Sequence, residues 1–129
     1  MKVVILAGGK GTRISEYTKI LPKPMIKVGN KPILEHIIDY YIKFGLKDFI
    51  IASGYKHSII KNYFNKKKYQ SAKVKVINTG VETLTGSRLK KLSNELKETF
   101  MLTYGDGLSN INLKKLLNFH KKNKKKITL

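Results

Sequence analysis

Residues 5–28 read ILAGGKGTRISEYTKILPKPMIKV. A short apolar run enters Gly8, Gly9 and Gly11, passes Arg13, and reaches Lys23 held between Pro22 and Pro24. A tight turn after a strand needs one or two glycines, so this run asks for a further reason. Glycine permits positive φ angles and close approach of the backbone to a ligand. Successive N–H groups in such a loop form a concave anion cradle. Thr12 adds a hydroxyl, and the Arg13 guanidinium can grip phosphate oxygens with two parallel hydrogen bonds. The spacing is neither the dinucleotide fingerprint G-x-G-x-x-G nor a Walker A loop ending in Gly-Lys-Ser/Thr. Two prolines fix their own φ and push the residues before them toward extended backbone. Lys23 is thereby aimed, which suits negative charge developing on a transferring phosphoryl group.

Working outward, Lys2–Leu6 reads as a buried strand ending at the glycines. Residues 7–24 form a loop dense in special residues. Met25–Val28 is extended and Gly29-Asn30 turns the chain. Pro32 suits the first turn of a helix whose apolar positions are Ile33, Leu34, Ile37, Ile38, Tyr41 and Ile42, closed by Gly45. Asp48–Ser53 is a second buried strand, followed by a helix through Ile59, Ile60 and Phe64. Lys73–Asn78 alternates as a strand. The stretch 79–92, TGVETLTGSRLKKL, is a loop leading into a helix. Phe100–Tyr104 is another strand, a helix covers about Asn112–Lys122, and Ile127–Leu129 reads as the opening of one more strand. Alternating strands and helices imply an α/β fold, Rossmann-like, with a mostly parallel sheet flanked by helices and right-handed crossovers. Neither a repeat nor a linker divides the sequence, and the whole 1–129 stretch reads as one domain.

Composition bounds the function classes. No apolar run approaches a membrane span, the opening residues do not make a signal-peptide core, and the absence of cysteine removes disulfides and thiolate metal sites. These features predict a cytoplasmic protein with no membrane partner. The net charge of +19 raises the question of nucleic acid. Solvated lysine faces account for the charge equally well, and the aromatic pattern that stacks bases is missing, so no nucleic-acid partner is expected. Only two of the 27 basic residues are arginine, Arg13 and Arg88, and both sit in glycine- and threonine-rich segments. That placement marks them for the planar, bidentate work lysine cannot do.

In open parallel sheets the loops at the carboxyl ends of the strands line the binding crevice, most of all where strand order reverses. If the first strand is central and Phe100–Tyr104 lies beside it, the glycine loop meets Gly105-Asp106-Gly107. Asp106 then faces the cradle. An Asp-Gly turn is common, but this position suits a magnesium ion shared with phosphates, which needs only one or two carboxylates.

At this point the residues resemble a family. LAGGKGTR followed by PKP is similar to the signature of the sugar nucleotidyltransferases. GTRISEYTKILPKPMIKVGNKPIL, NTGVETLTGSRLKKL and FMLTYGDGLSNINL resemble their glucose-1-phosphate cytidylyltransferase branch. The resemblance implies the nucleotide-diphospho-sugar transferase type of fold. It implies nucleotide contacts from Leu6, Ala7, Gly8, Gly9, Gly11 and Thr12, with Thr83, Arg88 and Gly105 also beside the nucleotide. Arg13 and Lys23 would be catalytic, gripping the triphosphate and stabilising the α-phosphate region, and Asp106 would bind Mg2+. The substrates implied are CTP and a sugar 1-phosphate. Members of the family are longer, so the resemblance covers their N-terminal half. It leaves open a homo-oligomer or a separate chain supplying the C-terminal half. It also leaves open thymidylyl or uridylyl specificity, and a nucleotide-binding module without catalysis.

Overall fold

The computed structural model describes residues 1–10 and 20–129. Strand β1 (Lys2–Ala7) is followed by a 3₁₀ turn at Lys23–Met25 and by a small antiparallel hairpin, β2 (Lys27–Val28) with β3 (Lys31–Pro32). Gly29 takes φ +66° at its tip, a conformation that glycine enters without a Cβ penalty. Then come α1 (Ile33–Lys43), β4 (Asp48–Ser53), α2 (His57–Lys66) and β5 (Lys73–Asn78). The chain ends with α3 (Thr85–Lys91), β6 (Met101–Tyr104) and α4 (Leu113–Asn123). Pro32 stands just outside α1 as its N-cap, and Gly45 (φ +81°) follows its C-terminus. At α4 the Asn112 side chain accepts from the Lys115 N–H at 3.0 Å, satisfying an N-terminal donor.

The main sheet has the order β5-β4-β1-β6, with every neighbour parallel. The chain therefore grows outward from β1 through β4 to β5, then crosses back to place β6 on the other side of β1. That reversal lies between β1 and β6. Side chains alternate across the sheet. Val3, Ile5 and Ala7 of β1 pack with Leu34, Ile37, Ile38 and Tyr41 of α1, Ile60 and Phe64 of α2, and Leu113 of α4. Val4 and Leu6 join Ile50, Ala52 and Leu92 on the opposite face, against which Leu89 and Phe100 pack. Cover on both faces is why β1 and β4 read as continuous apolar runs.

Ile127–Leu129 does not form the expected strand. A short apolar segment becomes a strand only through a ladder partner, and these residues join neither sheet. The Thr128 hydroxyl instead meets His120 Nδ1 at 2.8 Å.

One buried carboxylate staples two helices on the α1 face. Glu35 is 3% exposed. Its Oε1 pairs with Lys67 Nζ at 2.8 Å, and its Oε2 accepts from the Tyr63 hydroxyl. Burial pushes the Glu35 carboxyl upward, but the hydrogen bonds from Lys67 and Tyr63 outweigh it and the net direction is downward. Burial and the neighbouring carboxylate push the Tyr63 phenol up to about 12. A carboxyl depressed on folding contributes stability above its ordinary value of 4.5, and that stability is lost as pH falls through the lower folded value. Glu35→Gln is accordingly expected to lose stability at pH 7 and to show a smaller further loss between pH 5 and pH 3, as estimated from linkage. Urea midpoints across that range check it. An acid loss as steep in the variant as in the parent chain would refute the assignment.

Candidate functional site at the strand-order reversal

The crevice outside the carboxyl ends of β1 and β6 is a cleft of about 310 Å³. Its floor is the end of β1, Leu6 and Ala7, continuing into Gly8 and Gly9. The Gly105 N–H donates to the Leu6 carbonyl at 2.9 Å, extending the β1–β6 pairing past the strand ends and fixing where Asp106 emerges. A Cβ on Gly105 would lie 3.2 Å from Ala7 Cβ, Leu6 O and Pro24 Cγ. Glycine here admits close packing of β6 on β1 and on the proline turn.

Lys23 enters from that turn. Pro22, Pro24 and Met25 are buried, while Lys23 itself is half-buried. The Met25 N–H donates to the Pro22 carbonyl at 2.8 Å and the Ile26 N–H to the Lys23 carbonyl at 3.1 Å. The prolines are thus anchors sunk into the core, and Lys23 stands on a backbone that cannot swing. Its Nζ pairs with Asp106 Oδ2.

The far wall is the 79–91 segment, and Arg88 organises it. Arg88 is 5% exposed. Its Nη1 donates to Thr79 Oγ1 and the Gly80 carbonyl, both at 2.6 Å, with the Ser53 carbonyl at 3.4 Å. Its Nη2 donates to the carbonyls of Gly8 at 3.0 Å and Val81 at 3.1 Å. One planar group thereby ties together the chain leaving β1, β4 and β5. Burial draws the guanidinium downward from its ordinary pKa, yet arginine stays charged in proteins. Thr83 donates its hydroxyl to the Thr79 carbonyl at 2.6 Å, and Lys91 Nζ donates to the same carbonyl at 2.8 Å and to Thr83 Oγ1 at 3.1 Å. Lys10 pairs with Glu82 from the glycine loop to this wall.

Of the site residues expected from sequence, Leu6, Ala7, Gly8, Gly9, Lys23, Thr83, Arg88 and Asp106 line one cleft. Gly105 packs behind them. Gly11, Thr12 and Arg13 lie outside the described residues. Gly8 and Gly9 do not use the positive φ that glycine permits; the positive-φ glycines among the described residues are Gly29, Gly45 and Gly80. Gly8 is required for space. A Cβ there would sit 2.0 Å from Arg88 Nη1 and 2.3 Å from its Cζ. Tyr104, Leu84 and Thr85 also line the cleft and were not foreseen. Tyr104 carried a signal, standing two residues before Asp106 at the end of a strand. The three histidines do not line it.

Asp106 is the one carboxylate lining the cleft among the described residues, and those residues contain no cluster of three or more His, Asp or Glu side chains that could enclose a metal. A single hard oxygen donor beside a cationic wall fits an ion whose other ligands are water and phosphate. It does not make a closed protein cage.

Comparison with known proteins agrees with this geometry. The nucleotidyl transferase family matches residues 2–129. A glucose-1-phosphate cytidylyltransferase of Salmonella typhimurium is 42% identical, aligned with 100% of this chain and 59% of its own length. A D-glycero-alpha-D-manno-heptose 1-phosphate guanylyltransferase of Campylobacter jejuni is 37% identical, with 100% and 56% covered. The crystal structure of HddC from Yersinia pseudotuberculosis complexed with GMP-PN superposes with a TM-score of 0.77 at 28% identity, over 92% of this chain and 53% of that one. The chain thus spans little more than half the length of these relatives. A parallel sheet reversing at β1, a cleft at that reversal and a family match over nearly every residue lead to one conclusion: the chain belongs to the nucleotidyl transferase family, with the fold of the nucleotide-diphospho-sugar transferases.

Proposed function

We propose that this chain supplies the nucleotide-binding part of a sugar-1-phosphate nucleotidyltransferase that uses CTP and glucose 1-phosphate. The observation that carries the reading is the meeting of Lys23 and Asp106 at the mouth of β1, beside the glycine loop. The cytidylyl choice is supported by the 42% identity to the Salmonella cytidylyltransferase. A phosphate oxygen of glucose 1-phosphate attacks the α-phosphorus of CTP in line. The new P–O bond forms as the bond to pyrophosphate breaks, and CDP-glucose results without a covalent enzyme intermediate. Such a step asks for positioning and charge neutralisation above acid–base chemistry. Lys23 neutralises charge at the α-phosphate, Arg13 grips the triphosphate, and backbone N–H groups of the glycine loop cradle it. Asp106 would hold Mg2+, which when bound supplies countercharge to the phosphates. We assign the sugar-phosphate contacts to residues equivalent to the remaining length of the relatives, packed on the side of β6 where Leu102 and Tyr104 are exposed. We place the reaction in the cytoplasm.

A guanylyl reading is favoured by the Campylobacter relative, and uridylyl or thymidylyl readings share the same cleft. Calorimetric titration with CTP, GTP, UTP and dTTP, each with Mg2+, decides among them. CTP is expected to bind at least tenfold tighter than the others, about 1.4 kcal/mol. A preference for GTP would transfer the assignment to guanylyl chemistry. No binding to any of the four by a folded chain would overturn the reading.

A further inference from the structure

We propose that Lys23 is the resident counter-ion of Asp106, and that ligand binding exchanges both partners, so that a divalent cation and a triphosphate bind with positive coupling. The inference rests on the reading of the cleft as a nucleotide site and adds how its two paired charges share incoming ligands.

Lys23 is the one lysine, and Asp106 the one carboxylate, lining the cleft among the described residues, and they are paired with each other. Their side chains are 27% and 32% exposed, so each charge is partly withdrawn from water. Neither can wander far. Lys23 stands between two buried prolines, and Asp106 follows the Gly105 N–H that is bonded to Leu6. Among the described residues, the neighbouring charges Arg88 and Lys10 are already engaged: Arg88 on carbonyls and the Thr79 hydroxyl, and Lys10 on Glu82.

The pair sets the order of costs. A cation arriving alone must displace an ammonium from Asp106 Oδ2 and leave Lys23 without its partner. A triphosphate arriving alone must draw Lys23 away and leave Asp106 unneutralised beside an anion. When both arrive, Lys23 moves to phosphate and Asp106 to the cation, and each released group gains a partner. Coupling of this kind is reciprocal by linkage.

The test uses the whole chain and two separate ligands. Mn2+ alone is titrated by electron paramagnetic resonance, and CTP alone is titrated calorimetrically in EDTA. Lys23→Met is expected to bind Mn2+ about three- to fivefold tighter than the parent chain, the scale of a partly exposed ion pair. Asp106→Asn is expected to bind metal-free CTP tighter by a similar factor while losing Mn2+. Lys10→Met and Glu82→Gln change charge at the same mouth without touching the pair, and are expected to give less than half of these gains. Unchanged or weaker Mn2+ binding in Lys23→Met overturns the exchange, as do equal gains in the two control variants. Failure of the parent chain to bind CTP even with Mn2+ present would instead overturn the functional reading.

Discussion

Arg88→Ala is expected to lower the stability of the chain by about 3 kcal/mol or more, the scale for breaking a buried charged hydrogen-bond network. The guanidinium serves carbonyls from Gly8, Gly80 and Val81, the Thr79 hydroxyl and, at longer range, the Ser53 carbonyl. Alanine leaves those acceptors facing a cavity that the side chain had filled. For a chain of this length, that loss corresponds to a fall in Tm of roughly 10–15 °C. Arg88→Lys keeps the charge but offers a point donor in place of a planar fork, so about half of the loss is expected to remain. Thermal melts followed by far-ultraviolet circular dichroism check both. A fall in the alanine variant equivalent to less than about 1 kcal/mol would show that the fork does not hold the strand ends together.

The second large effect is expected at Gly54, which leaves β4 beneath the same clamp. A Cβ there would stand 2.3 Å from the Gly80 carbonyl oxygen, 2.8 Å from that of Gly8 and 2.9 Å from Arg88 Nη1. Two of those neighbours are backbone, and both are acceptors that Arg88 holds. They cannot rotate away, so Gly54→Ala must push the ends of β1 and β5 apart. The expected destabilisation is about 2–3 kcal/mol, at the upper end for overpacking. Gly9→Ala is the control. Nothing lies within 4 Å of its Cβ position and its φ is not positive, so its urea midpoint is expected to stay near that of the parent chain. Similar midpoints for Gly54→Ala and Gly9→Ala would refute the packing argument.

Much of this arrangement was legible in the sequence because it obeys short-range rules. The run Lys2–Leu6 reads as a buried strand, one residue short of the observed Lys2–Ala7, and the spacing from Ile33 to Ile42 reads as a helix. The meeting of the glycine loop with Gly105-Asp106-Gly107 rested on supposing β6 beside β1, and the β1–β6 pairing with its Gly105–Leu6 hydrogen bond realises that supposition. Arg88 was legible as a special residue but not as a clamp. Its acceptors are backbone carbonyls on segments up to 80 residues away, and a carbonyl leaves no mark on residue identity. Gly8 was singled out for its backbone freedom, whereas its missing Cβ makes room for Arg88. Ile127–Leu129 misled because apolar character without a partner strand does not make a ladder.

The position of β6 bears on how the cleft comes into being. Its walls are drawn from residues 6–9, 23–24, 83–88 and 104–106, so it exists only after the most sequence-distant pairing of the sheet, β1 with β6, has formed. Local helix formation cannot prefigure it, since the entropy of closing long loops is met before such contacts add stability. On the proposed reading, nucleotide affinity would be a property of the finished sheet. A nucleotide in the cleft would bridge β1 and β6, the most sequence-distant pair of neighbours in the sheet.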